Sequence, residues 1–358
     1  MKSIKTFFIQ TLVTVVLFFI CDYFYTNYLM KAVQSEIADH RTSHDIYHHT
    51  LNASFNGLGM WDGKITYHVC TDTNGFKDSC ENTASNQRSF DIGFIGDSFT
   101  EAVGMPFENS FVGMFSIDNP NLKVANLGVA SYSPTIYFSK IKYLLDSNFL
   151  FDHIYVFIDI SDIQDEATYF RDSSGVVFES DQLSLFGKMK KYIYDNFFFF
   201  GKGYLAIKEF IKPESVFKSK PFDPFDNQRS AWTYNANSGG YGKLGVKGSI
   251  DKAVQEMIAL HDLLNEKKIK LSVGVYPWPA QLLEMSQNQT IENLQVSIWR
   301  EFCIERCENF VNIFPIYKEM LKKISVRDIY KKYYIVGDVH FNYLGNKIVF
   351  ETLSNLRN

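Results

Sequence analysis

The sequence predicts an α/β fold on a doubly wound, mostly parallel sheet of five strands. Three observations carry that expectation. Short runs rich in Val, Ile and Phe recur at residues 90–95, 122–125, 153–160, 269–276 and 310–314. Helical stretches such as 134–146 and 250–266 lie between most of them. A Gly-Asp-Ser turn follows directly on the first run. A strand covered on both faces reads as a continuous apolar run. Strand and helix in alternation are the pattern of a parallel sheet with crossover helices.

At 358 residues, the chain is long enough for one such domain with additions. Hydrophobic residues make up 46% and charged ones 21%, so nothing in the composition demands disorder. The formal net charge of -4 offers no electrostatic footprint for phosphate backbones, which excludes nucleic acid as a partner. Aromatic residues reach 16%, with 33 Phe and 21 Tyr, and many fall outside the core runs. Those extra rings are candidates for lining a ligand groove or touching lipid.

Lys2 and Lys5 precede the uncharged residues 6–20, and Tyr23, Phe24, Tyr25 and Tyr28 extend the apolar character to about Leu29. The pattern predicts a transmembrane anchor over 1–29, with the lysines on the cytoplasmic side. A cleaved signal peptide shares the charged start and apolar centre. No small-x-small site follows Ile20, which favours the uncleaved anchor, and Ile20 before Cys21 does not fit a lipidation signal. The expectation is a single-pass inner-membrane protein whose main domain faces the periplasm. In an oxidising space the pairs Cys70 with Cys80 and Cys303 with Cys307 can form disulfides; four free thiols are the other reading.

Residues 30–88 read as a stalk and a small β-rich lead-in, and 89–358 as the main domain. Alternation breaks at about 171–247, an insertion in which Lys188, Lys190 and Lys191 adjoin bulky apolar residues up to Phe200. This segment is either a helical cap on the domain or an amphipathic helix on the membrane surface. It also invites the idea of a membrane partner that supplies an acyl donor.

The chemistry concentrates in two segments. Gly96-Asp97-Ser98 follows an apolar strand, where ligands bind in open α/β sheets. Near the other end, Gly337-Asp338-Val339-His340 precedes an apolar helix. A serine hydroxyl needs a neutral imidazole to take its proton, which His340 supplies. A carboxylate on the far ring nitrogen fixes the tautomer and stabilises the imidazolium, the role read for Asp338.

On these residues the chain resembles the SGNH/GDSL hydrolase family. Gly96-Asp97-Ser98 is similar to the family's nucleophile block, and His340-x-Asn342-x-x-Gly345 to its last block. The resemblance spans about 89–165 and 250–356, and implies a flavodoxin-like sheet with a serine nucleophile. The family spaces Asp three residues before His; here Asp338 sits two before, a spacing also found in related polysaccharide O-acetyltransferases. Asn126 to Pro134 looks like the block whose backbone N–H faces the oxyanion, which assigns that role to Ser131, with Gly128 the other candidate and Ser98 contributing its own N–H. Ser161 occupies the place of the family's oxyanion-hole Asn. Asp97, Trp278, Gln281 and Asn342 are candidates for contacting substrate.

No metal is expected: the acidic residues Asp159, Asp162, Asp165 and Glu166 lack the spacing of a calcium loop. No cofactor is expected either. The reading is a serine esterase or O-acyltransferase, with acetyl as the acyl group and an acylated envelope carbohydrate or other small ester as substrate. The competing reading is a glycan-binding or assembly protein that keeps the fold without the chemistry.

Overall fold

This computed structural model describes residues 2–30, 40–180, 189, 192–193, 196–201, 223–226, 228–235, 241–287 and 293–356. The chain divides into two compact units, Met1–Ala38 with Glu179–Pro221, and Asp39–Phe178 with Phe222–Asn358.

In the first unit, helix α1 (Lys2–Phe24) and the π-helical stretch Tyr25–Met30 that continues it hold a span, Lys5–Leu29, with mean hydropathy 2.0, long and apolar enough to cross a membrane. Asp22, the one acidic residue of the span, is buried. Its carboxylate accepts the backbone N–H groups of Phe199 and Phe200 (2.9 and 2.8 Å), while the Thr26 hydroxyl accepts that of Phe198 (2.9 Å). Phe19 packs its ring on Phe197 and Phe200. Most of the insertion expected at 171–247 that falls in this unit, including residues 181–188 and 202–221, lies outside the described residues.

The second unit holds the sheet. Two antiparallel hairpins come first, β1 (Arg41–His44) with β2 (His48–Leu51), then β3 (Asn56–Trp61) with β4 (Ile65–Cys70). Their buried Tyr47, Leu51 and Val69 join the core, and Cys70 is bonded to Cys80. Five parallel strands follow: β5 (Ser89–Ile95), β6 (Val124–Asn126), β7 (Leu150–Ile158), β10 (Lys270–Val275) and β11 (Asn309–Asn312), in the spatial order β11-β10-β7-β5-β6. A short hairpin, β8 (Tyr169–Arg171) with β9 (Val177–Glu179), lies between β7 and β10 in the chain. The doubly wound α/β class is what the sequence predicts. Strand β7 stops at Ile158, two residues before its expected end, because Asp159 caps the next helix.

The register brings three strand ends to one rim. Ile95 pairs with Val156, and Val275 with Ile158. The helices of this unit among the described residues are α2 (Ser98–Glu101), α3 (Phe111–Asp118), α4 (Pro134–Asp146), α5 (Ile160–Glu166), α6 (Gly245–Glu266), α7 (Pro279–Gln287), α8 (Leu294–Cys303), α9 (Phe314–Leu321), α10 (Val326–Tyr333) and α11 (Tyr343–Asn355). Cys303 and Cys307, at the end of α8, are disulfide-bonded.

Candidate active site

Gly96 is required by packing. A Cβ there would lie 2.2 Å from Thr100 Oγ1 and 2.8 Å from the Phe157 carbonyl, so no larger residue fits between β5 and β7 at the turn. The chain then enters α2, whose cap is Asp97, accepting the Phe99 N–H at 3.0 Å. Ser98 opens that helix, so its N–H has no intrahelical acceptor.

His340 reaches this serine across the rim. Its Nε2 lies 2.7 Å from Ser98 Oγ, and its Nδ1 lies 2.6 Å from Asp338 Oδ1. With the proton on Nδ1 donated to Asp338, Nε2 is left to accept from the serine. The two-residue spacing works because Gly337 takes a left-handed φ of 88° and its N–H donates to the Tyr330 hydroxyl at 2.6 Å. Asp338 then accepts the N–H groups of Val339 and His340 at 2.5 and 3.2 Å. Burial pushes the Asp338 carboxyl up, but the His340 hydrogen bond and charge, with Trp61, outweigh it and hold the group at about 2. Asp338 is therefore ionised wherever the protein is folded near neutral pH.

Trp61 is the partner that sequence reasoning missed. Its indole N–H donates to Asp338 Oδ2, and its ring stands edge-on to His340 with centroids 5.1 Å apart. Phe99 supports the imidazole from another side at 4.6 Å. The available signal was Asp62-Gly63 between two apolar runs: both have positive φ, 49° and 65°, as a tight hairpin turn demands, and Trp61 immediately precedes them.

The segment after β6 forms the opposite wall. Ser131 takes a left-handed φ of 64°, the conformation in which glycine is at home, and its N–H makes no hydrogen bond among the described residues. Gly128, the other candidate donor, is corrected: its N–H is spent on Asn126 Oδ1 at 3.1 Å. The wall is tied down from behind. Ala130 donates its N–H to Glu101 Oε2 at 2.8 Å, and its carbonyl meets His49 Nε2 at 2.8 Å. Glu101 is paired with Arg41 and lies 3.4 Å from His40. Burial favours its neutral form, yet Arg41 and His40 hold the Glu101 carboxyl far below the usual carboxylate range. The buried Lys140 ammonium donates to the Leu127 carbonyl at 2.9 Å.

These walls enclose a cavity of about 210 Å³ lined by Ser98, His340, Ser131 and Ser161, with Trp61 and Trp278 at its sides. Arg229, from the far part of the insertion, also lines it. Trp278 is fixed by donating its indole N–H to Asp159 Oδ2 at 2.7 Å.

The other expected substrate contacts fall elsewhere. Gln281 is fully buried; its Oε1 accepts the Trp278 N–H and its Nε2 donates to Gln295 Oε1, so it shapes the Trp278 loop from beneath. Asn342 caps α11, accepting from Leu344 and Gly345, and ties that end to Lys332 and Tyr334. Asp97 is 1% exposed and is not among the residues lining the cavity; its Oδ2 lies 3.3 Å from Ser98 Oγ. Asp97 and Gln281 thus face the packing, and half-buried Asn342 is spent on its helix cap.

No family model matches this chain. No curated protein matches it in sequence. Among solved structures it is similar to a G-D-S-L-family lipolytic protein from Desulfitobacterium hafniense DCB-2, at 11% identity over 75% of this chain and 99% of that one, TM-score 0.39. It is also similar to a catalytic mutant of an acetylxylan esterase from Geobacillus stearothermophilus (10% identity, 75% and 93% covered, TM-score 0.41). A third is a psychrotrophic esterase from Pseudoalteromonas sp. (9% identity, 76% and 100% covered, TM-score 0.38).

Proposed function

We propose that the chain is a serine esterase or O-acyltransferase of the SGNH type, acting through Ser98, His340 and Asp338. The observation that carries the reading is the unbroken hydrogen-bond line from Asp338 Oδ1 through both nitrogens of His340 to Ser98 Oγ. In the first half-reaction His340 takes the Ser98 proton as the oxygen attacks the ester carbonyl. A tetrahedral oxyanion forms, the alcohol leaves with the proton from His340, and an acyl-serine remains. In the second, His340 deprotonates water or an acceptor hydroxyl, which takes the acyl group and frees Ser98. The N–H groups of Ser98 and Ser131 are the donors proposed for the oxyanion.

The small cavity favours a short acyl group such as acetyl, and the flanking Trp61 and Trp278 rings suit a sugar face. An acylated carbohydrate is therefore the substrate class proposed. The apolar helix α1 supports an anchor in the inner membrane, with the second unit in the periplasm.

The test is cleavage of 4-nitrophenyl acetate by the full chain in detergent. Ser98→Ala and His340→Ala should each abolish cleavage above background. Equal rates in all three proteins would remove the enzymatic reading. Release or gain of acetyl on isolated envelope glycan separates hydrolase from transferase.

A further inference from the structure

Few donors meet the oxyanion of the reaction proposed above. Ser161, expected to supply one, does not: its hydroxyl donates to Asp159 Oδ1 at 2.7 Å, which spends its one proton. That leaves the backbone N–H groups of Ser98 and Ser131. Ser98 opens α2, and the helix fixes the direction of its N–H. Ser131 has no helix to hold it, since it lies in the loop between β6 and α4 at a left-handed φ of 64°. Residues other than glycine are strained in that region, and a turn-over of the peptide bond before Ser131 would relieve the strain. The same turn-over would carry the N–H out of the cavity.

Two residues share that peptide group. Its C=O belongs to Ala130 and its N–H to Ser131, and in a trans peptide the two point in opposite directions. The Ala130 carbonyl lies 2.8 Å from His49 Nε2, its one hydrogen-bond partner among the described residues. Ser131 lines the cavity and His49 does not. An oxygen held on the His49 side therefore sends the N–H to the cavity side, where no acceptor among the described residues takes it.

His49 is itself held in place. A carbonyl only accepts, so the imidazole proton is on Nε2, and Nδ1 is left to accept from His48 Nδ1 at 2.8 Å. The Tyr132 ring stands edge-on to the imidazole with centroids 4.9 Å apart, and its hydroxyl donates to the His49 carbonyl at 2.6 Å. Lys140 in turn donates to that hydroxyl at 3.2 Å, and the Tyr169 ring lies 6.3 Å from the imidazole. Burial, opposed by the Ala130 carbonyl and Glu101 and helped by His48 and Lys140, holds the imidazole at about 4, so near pH 7 it is neutral. One line of hydrogen bonds thus runs from His48 through His49 to the amide between Ala130 and Ser131.

We propose that His49 is a positioning residue: by holding the Ala130 carbonyl, it fixes the Ser131 N–H toward the oxyanion formed in the Ser98 reaction. It touches no substrate and acts through the backbone alone. Hydrogen bonds in line polarise one another, so the tie also makes the Ser131 N–H a stronger donor. The inference rests on the Ser98 triad reading and on Ser131 as an oxyanion donor.

The experiment compares His49→Leu, His49→Gln and Ser98→Ala with the parent, each as the full chain in detergent. It measures 4-nitrophenyl acetate cleavage and inhibition by methylboronic acid, which forms a tetrahedral adduct on a serine oxygen. Leucine fills much of the imidazole's space without a donor, whereas glutamine places an N–H close to where Nε2 stands. His49→Leu should lose about 10²-fold in kcat, the lower end of the loss of one oxyanion donor, with KM nearly unchanged. Its boronate inhibition constant should rise by a similar factor, because an oxygen of the adduct occupies the oxyanion's place. His49→Gln should recover most of both losses. A variant that merely folds less well has fewer active molecules, which lowers the apparent kcat but leaves KM and the inhibition constant at their parental values. Parental kcat in His49→Leu, a fall in kcat with unchanged boronate inhibition, or His49→Gln no better than His49→Leu would each overturn the proposal. Ser98→Ala separates this failure from failure of the triad: if it cleaves at the parental rate, the triad reading falls, and if it is inactive, only the His49 proposal does.

Discussion

The indole N–H of Trp61 donates to Asp338 Oδ2 at 2.6 Å, joining residues 277 positions apart. The carboxylate that orients His340 is thereby held at both oxygens, Oδ1 by the imidazole and neighbouring backbone N–H groups, Oδ2 by a side chain from the first part of the chain. Trp61→Phe keeps the ring against His340 and removes the donor. A hydrogen bond to a charged group contributes about 1.5–3 kcal/mol, so kcat should fall roughly 10- to 150-fold. KM for a small acetyl ester should move little, and steady-state kinetics will show whether the loss sits in kcat.

The wall that presents Ser131 depends on Glu101. Removing its side chain leaves the Ala130 N–H without an acceptor and Arg41 without its carboxylate. Breaking a buried pair from one side costs about 3–5 kcal/mol; Arg41 is 23% exposed, which places Glu101→Ala at the lower end. Glu101→Gln keeps an acceptor for Ala130 and should recover part of both stability and kcat. Urea unfolding beside ester hydrolysis checks this, and equal behaviour of the two variants would remove Ala130 from the account.

Asp162 predicts how stability depends on pH. Its carboxyl is fully buried, and Oδ1 has no hydrogen-bond partner; burial, with the charges of Asp159 and Asp97, pushes it well above the usual range. The folded chain therefore holds a proton that the unfolded chain releases near its ordinary value of about 3.9. The stability linked to that proton is complete below that value and is lost as pH rises toward the folded one. Lys77 and Lys140, which burial pushes down to about 7, pull the other way, so the readout is a difference between two proteins. Asp162→Asn should show a smaller loss of Tm from pH 5 to pH 8 than the parent. Parallel curves would contradict it.

The Cys70–Cys80 disulfide closes a loop across a sequence separation of 10 residues. Closing a loop of that length restricts the unfolded chain by about 3 kcal/mol. Replacing both cysteines by serine should lower stability by about that amount in urea unfolding without reducing kcat. A matched fall in kcat would mean that the bond also shapes the β3–β4 hairpin and the placement of Trp61.

The fold class was legible because its signals are local, and so was the placing of Ser98, Asp338 and His340 at turns. Gly96-Asp97-Ser98 sits where a strand must turn, and Asp338 and His340 lie two apart in one loop. Trp61, Glu101 and Arg41 were not legible, since their roles arise only when the hairpins pack against the sheet. Gln281 and Asn342 show the opposite failure. Sequence does not give the direction of a side chain at a strand end: Gln281 turns inward to buried Gln295, while half-buried Asn342 is spent on capping α11 and on the Lys332 carbonyl. Lys77 and Lys140 were unreadable for the same reason, because each spends its ammonium on backbone carbonyls inside the core.

Asp22 makes the apolar N-terminal helix something other than a detachable leash. Its carboxylate is the acceptor for Phe199 and Phe200, so trimming the first 38 residues alone strands two amide groups and the rings that pack on Phe19. A version of this protein without the helix has to give up the stretch around Phe199 as well, since either piece left behind would offer bare aromatic surface to its neighbours in solution.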